Sequence, residues 1–280
     1  MVMYRIFSFI FLFSLLSACS DPNSIFAICS GDSSLCSDLN EDKWCTNERD
    51  SLIRSRLQLK TLKATESKEK NQYRLMLSLN NYQSCISVAA TIEPKKNIHI
   101  KSKRVEAMIA TFNELSALEK ATEDNEHPYL LYYHWQYKNN DNAKHQLLAQ
   151  AKSPTFNTAE LQFALANIYS NKETERTIIS LIKGINLVEK TNTSLLTSMH
   201  YSLITAYMHE KKYKLGYLWS KMAINQGIEN INLSMFENTD KVSSKERSVI
   251  DKLAVQLADN IRNDEFSKAL YDEALAITKF

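Results

Sequence analysis

Five cysteines carry most of the chemistry this sequence can offer, and the first is set apart by what precedes it. Cys19 closes the run Leu16-Ser17-Ala18-Cys19, a leucine and two small residues before a thiol. A cysteine in that setting can take a diacylglyceryl group on sulfur, and the small residues let a signal peptidase bring the backbone against its active site. Arg5 gives a short charged start, Ile6 to Leu16 is an apolar run broken only by Ser8 and Ser14, and Ile6 to Ala18 are 13 residues. A helix of that length covers roughly 20 Å, short of the roughly 30 Å of a bilayer core. Residues 1–18 are therefore expected to be a cleaved signal of the bacterial lipoprotein type, with Cys19 as the lipidation site. Two or three acyl chains there would hold the chain to a membrane. Ser20, in place of an aspartate, follows the cysteine, and the expected address is the periplasmic face of the bacterial outer membrane.

Cys29, Cys36, Cys45 and Cys85 remain, an even number that reads as two disulfides in an oxidising compartment. Three pairings are open. Intervening stretches of six, eight and 39 residues lack the close CxxC pairs of structural zinc, so no metal is expected. The first three cysteines fall in a polar, acidic, turn-rich segment, 19–49, which they are expected to staple. Cys85 lies in a helical pattern and would tie that segment to the folded body. Asp38 to Asp42 resembles a calcium loop only superficially, because Lys43 stands where glycine is needed.

Other chemistry is sparse. HExxH, G-x-S-x-G and glycine-rich phosphate loops do not occur, and four glycines leave little room for phosphate cradles. His134 and His145 straddle an expected turn and could meet with Asp141 nearby, a grouping read as surface or satisfied histidines and not as metal ligands. Carboxylate neighbours such as Asp272-Glu273 sit among lysines and read as solvated faces. No catalytic residue and no cofactor are expected, although acids from distant helices could still meet in a cleft and act as a cell-wall hydrolase. After loss of Arg5, 33 basic residues face 32 acidic ones, a balance that gives nucleic acid no footing. The basic stretch Lys95, Lys96, Lys101, Lys103 and Arg104 is flanked by Glu93 and Glu106 and reads as a solvated link. Aromatic clusters stand out: Tyr129, Tyr132, Tyr133, Trp135 and Tyr137, then Tyr213, Tyr217 and Trp219. One helix cannot bury positions 132, 133, 135 and 137 together, so some must face outward. Tyr133, Trp135, Tyr217 and Trp219 are the candidate partner anchors.

These groups must be positioned by helices. Four glycines and four prolines in 280 residues favour long helices over strand-and-turn folds. Leu75, Leu79, Tyr82, Ile86 and Ala89 make one stripe, and Val105, Met108, Ile109, Phe112 and Leu115 another. Pro128 suits a first helical turn, Asp141 a helix start, and Asn157/Glu160 and Ser243/Glu246 have capping-box spacing. A longer loop is expected over 228–242 and a last helix over 265–280. The expectation is an all-α chain of stacked antiparallel helix pairs over 50–280, preceded by the Cys-rich irregular segment.

Two resemblances sharpen this. Leu165/Tyr169 and Leu203/Tyr207 are each four apart, and Tyr213, Gly216 and Ala223 recur as Phe266, Ala269 and Ala276. This pattern resembles the tetratricopeptide repeat, best over Ala206–Ile224, which implies a solenoid with a concave face. Gln162 and His200 stand where that family carries an aromatic, and its closing proline is missing. The lipobox, Leu35-Cys36-Ser37-Asp38-Leu39-Asn40, Trp44-Cys45, Asp50-Ser51-Leu52-Ile53 and Tyr82-Gln83-Ser84-Cys85 together resemble an uncharacterised family of gammaproteobacterial putative lipoproteins. That resemblance implies the export route and the cysteine framework and no activity. The function expected is a lipid-anchored periplasmic binding or scaffolding module, holding an envelope protein or a peptide.

Overall fold

Few helix breakers in the sequence translate directly into helix. The structure, a computed structural model, describes residues 21–94, 99–189, 192–237, 241–262 and residue 276. Cys19 with its lipobox, Lys95, Lys96, Asp272-Glu273 and all of the expected last helix except Ala276 lie outside the described residues. Twelve α-helices and no strand occur among the described residues, and consecutive helices pack in adjacent pairs. No helix there is long and apolar enough to cross a membrane. Contacts divide the chain into two compact units, one ending at Thr122 and one beginning at Glu123.

In the first unit, α1 (Ile25–Gly31), a 3-10 turn (Ser33–Leu35), α2 (Thr46–Lys60), α3 (Lys68–Thr91) and α4 (His99–Ala121) follow one another. The Cys-rich segment is thus partly helical and packs on α2. The expected α3 stripe is the core: Leu75, Leu79, Tyr82, Ile86 and Ala89 are all buried. The expected α4 stripe is only partly so. Leu115 is buried, but Ile109 and Phe112 are 52% and 62% exposed, and the inward face is instead Arg104, Ala107, Thr111 and Leu115. Small Ala107 and Thr111 let α3 and α4 approach closely, while Arg104 spends its guanidinium on Ala89 O at 2.9 Å and Asp42 Oδ2 at 2.6 Å. The polar partners of Arg104, and not the most hydrophobic stripe, set that helix's rotation.

The second unit holds α5 (Pro128–Lys138), α6 (Asp141–Gln150), α7 (Ala159–Tyr169), α8 (Thr174–Leu187), α9 (Thr193–His209), α10 (Tyr213–Asn225), the short α11 (Ser234–Glu237) and α12 (Ser244–Arg262). Pro128 opens α5 as expected. Two caps shift by one residue. Asn140, not Asp141, caps α6 through Ala143 N at 3.0 Å, and Thr158, not Asn157, caps α7 through Leu161 N. The Ser243/Glu246 box forms in both directions, with Ser243 N donating to Glu246 Oε2 at 2.7 Å and Glu246 N to Ser243 Oγ at 3.4 Å. The expected loop after α10 is pinned by α11, whose Phe236 is buried. A Cβ on Gly216 would stand 3.3 Å from the Phe236 ring and 3.2 Å from Met208 Sδ, so only glycine fits without displacement.

Trp219 and His200 lie together in this core, ring centroids 5.7 Å apart. The Trp219 indole N–H is buried without an acceptor among the described residues. Trp219→Ala should lower unfolding free energy by about 3–5 kcal/mol. Trp219→Phe keeps the packing and deletes an unpaired donor, so its loss should be less than half as large in urea titrations.

His200 Nε2 sits 2.8 Å from Gln226 Oε1, and burial holds its pKa at about 4, below the ordinary 6.5. Above pH 6.5 the ring is neutral whether the chain is folded or unfolded. As pH falls from about 6.5 towards about 4, the unfolded chain takes up the proton first, and stability declines by about 3 kcal/mol in that window. Denaturation of His200→Gln at pH 7 and pH 4.5 should show a visibly shallower decline than the parent; an equal decline would place the proton uptake elsewhere.

Candidate functional site

Both disulfides form in the first unit. Cys29 joins Cys36 across seven positions, and Cys45 joins Cys85 across 40. Of the three pairings open in sequence, this one closes a small loop at α1 and ties the segment to α3, the helix that contains Tyr82. Cys45 begins α2 in the left-handed region at φ 57°, which residues other than glycine and asparagine rarely adopt. No side chain caps α2, and the bridge to α3 anchors that start.

Between the bridges, polar groups lock the clasp onto the helices. Tyr82 Oη donates to Asn40 Oδ1 at 2.6 Å and accepts from Asn40 N at 3.3 Å. Burial pushes the Tyr82 phenol up to about 12, so it keeps its proton and remains a donor. Asn40 Nδ2 donates to Asp42 Oδ1 at 2.6 Å and Trp44 O at 2.9 Å, while Arg49 Nη1 reaches Asn40 O at 3.2 Å. Asn40 is therefore fully used, as a buried amide must be.

Arg56 is the second lock. Its Nη1 donates to Leu35 O at 2.9 Å and to Asp38 Oδ1 at 2.8 Å, and its Nη2 to Asp38 Oδ2 at 2.7 Å. Nε and Nη2 also grip Glu114 of α4. Burial alone would push this guanidinium down, but the hydrogen bonds it donates to Asp38 and Glu114 outweigh it and raise the group above its ordinary value. Both carboxylates are committed to one cation and serve as its structural partners.

This locked framework leaves an open pocket of about 490 Å³ between α1 and α2. Ile25, Phe26 and Ile53 give it apolar walls, the Cys29–Cys36 bridge forms one side, and Glu41 and Arg49 stand at its polar side. Arg49 is already paired with Asp50 at 3.3 Å. A pocket with apolar walls and compensated charges suits an apolar or amphipathic guest. A second opening of about 420 Å³ lies beside Arg56, lined by Ser34, Leu59, Lys60 and Glu114.

The candidate anchors lie elsewhere, in the second unit. Tyr133, Tyr217 and Trp219 are buried core residues, and Trp135 is half-buried with Lys144 Nζ 5.5 Å from its ring centroid. Tyr217 donates from Oη to Asp251 Oδ1 at 3.0 Å, which links α10 to α12. The outward-facing aromatic that the α5 pattern requires is Tyr137, 45% exposed and stacked on Tyr133 at 4.7 Å. His134 is buried and His145 is exposed, so the structure does not present them together on one surface. Among the described residues no three His, Cys, Asp or Glu side chains gather as metal ligands. Sequence reasoning missed the pocket residues Phe26, Arg49 and Ile53 and the lock residue Arg56. Arg56 lies four and three positions beyond Leu52 and Ile53, on their face of α2, and that register was the available signal.

A model of the family described as "Protein of unknown function (DUF2989)" matches residues 16–221. No curated protein and no solved structure matches the chain.

The two bridges should differ in worth. A loop of about 40 residues restricts the unfolded chain more than one of about seven, by roughly 1.4 kcal/mol on the chain-entropy account. Removing Cys45–Cys85 by paired alanine substitution should therefore cost about 4 kcal/mol and removing Cys29–Cys36 about 2.5 kcal/mol, as read by denaturant unfolding.

Proposed function

We propose, for a chain that belongs to this DUF2989 family, a lipid-anchored binding or scaffolding role in the bacterial periplasm. The observation that carries the reading is the pair of disulfides. They use four of the five cysteines, bonds of a kind that persist in oxidising compartments, and leave Cys19 as the one outside them. The family match begins at Leu16, the first residue of the Leu16-Ser17-Ala18-Cys19 run, which supports treating that run as part of the family's pattern. On this reading residues 1–18 are removed, Cys19 carries the acyl chains, and the mature protein faces the periplasm from the outer membrane.

The binding role draws on the clasp pocket and on the second unit. There α7 to α10 pack each on the next, and Tyr207, Gly216 and Ala223 are buried, which supports reading this part as a tetratricopeptide-like stack. Such a stack serves an envelope protein or a peptide as a surface, and the carboxylates held by Arg56 act as structural partners.

Fractionation tests the anchor. Wild-type protein should sediment with outer membranes, and Cys19→Ala should appear in the soluble or precursor fraction; a mutant that stays in outer membranes overturns the lipid anchor. Purified lipidated protein that releases soluble fragments from peptidoglycan would overturn the binding role in favour of hydrolysis.

A further inference from the structure

Few residues separate Cys19 from α1. Ile25 opens α1 six residues after Cys19, and at about 3.4 Å per residue the intervening chain reaches at most about 20 Å. The polar layer of a bilayer is itself about 5–8 Å thick on each side. A folded unit on so short a tether spends its time against the membrane that holds it, and a second contact there forms at high effective concentration.

The orientation of α1 is also fixed. Ile28 is buried, and Cys29 is bridged to Cys36, so the helix cannot turn about its axis. Phe26 lies two residues before Ile28, about 200° around the helix, and points away from the core. It is 77% exposed, more than any other large apolar side chain among the described residues. It stands at the pocket of about 490 Å³ whose wall it shares with Ile25 and Ile53. The neighbouring cations are compensated, Arg49 by Asp50 and Lys60 by Asp32, so this face recommends itself to lipid by its apolar surface and not by charge. Amphipathic and aromatic side chains at such a depth favour the headgroup–acyl boundary.

We propose that α1 is a membrane-contacting edge, with Phe26 and the lip of the clasp pocket seated in the interfacial layer of the bilayer that carries Cys19. The inference rests on the lipid-anchor reading above. It makes the clasp a device that fixes the orientation of the first unit on the membrane.

The test places photoreactive benzoylphenylalanine at residue 26, and separately at Phe112, in the full-length lipidated chain in intact cells. Irradiation should give phospholipid adducts at residue 26 in at least five-fold excess over residue 112, with the Cys45–Cys85 bridge intact by non-reducing mass analysis. Equal yields at the two sites, protein adducts alone at residue 26, or no adduct there while wild-type protein still depends on Cys19 for sedimentation would overturn the contact and leave the anchor standing. If Cys19→Ala remains in outer membranes, the anchor and this contact fall together.

Discussion

The buried guanidinium of Arg56 is the constraint on which the first unit depends. A desolvated cation is tolerated only with its partners in place, and these come from two other parts of the chain: Leu35 and Asp38 of the clasp and Glu114 of α4. Arg56 itself is on α2. One side chain thus decides how the irregular segment and two helices meet. Arg104 repeats the device at the other end of α4, where Asp42 of the clasp and Ala89 O of α3 share it. With the Cys45–Cys85 bond and the Tyr82–Asn40 pair, these contacts turn a polar stretch that could not fold alone into the wall of a pocket.

Where apolar residues recur with helical spacing against a large partner, the sequence was readable. The α3 stripe is core at every position named, and the Ser243/Glu246 capping box forms as its spacing implies. Pattern reading failed on α4 for a specific reason. Its most hydrophobic face, with Ile109 and Phe112, lost to a face built on Arg104, Ala107 and Thr111. Polar pairing over 62 positions of sequence and the closeness that small residues allow are invisible to a hydrophobic wheel.

The aromatic clusters teach the complementary lesson. Tyr217 and Trp219 are two apart on α10, and one helix face cannot hold both, yet both are buried because α9 and α12 cover α10 on separate sides. A wheel describes one helix and does not count its neighbours. In α5 the same argument succeeded where the neighbours run out: Tyr133 is enclosed and Tyr137, four residues on, is exposed. The cysteine framework was legible as an even number once Cys19 is set aside, but its pairing depended on which segments lie side by side, and only the fold supplies that.

A bridged, arginine-locked clasp immediately after a lipid-bearing cysteine is the central claim, joining covalent chemistry to place. Peptide mapping without reduction, on protein extracted from membranes, tests it most directly. The account predicts one peptide pair linked through Cys29 and Cys36, one linked through Cys45 and Cys85, and an N-terminal peptide beginning at acylated Cys19. Four free thiols, or an unmodified Cys19 still preceded by Ala18, would contradict it.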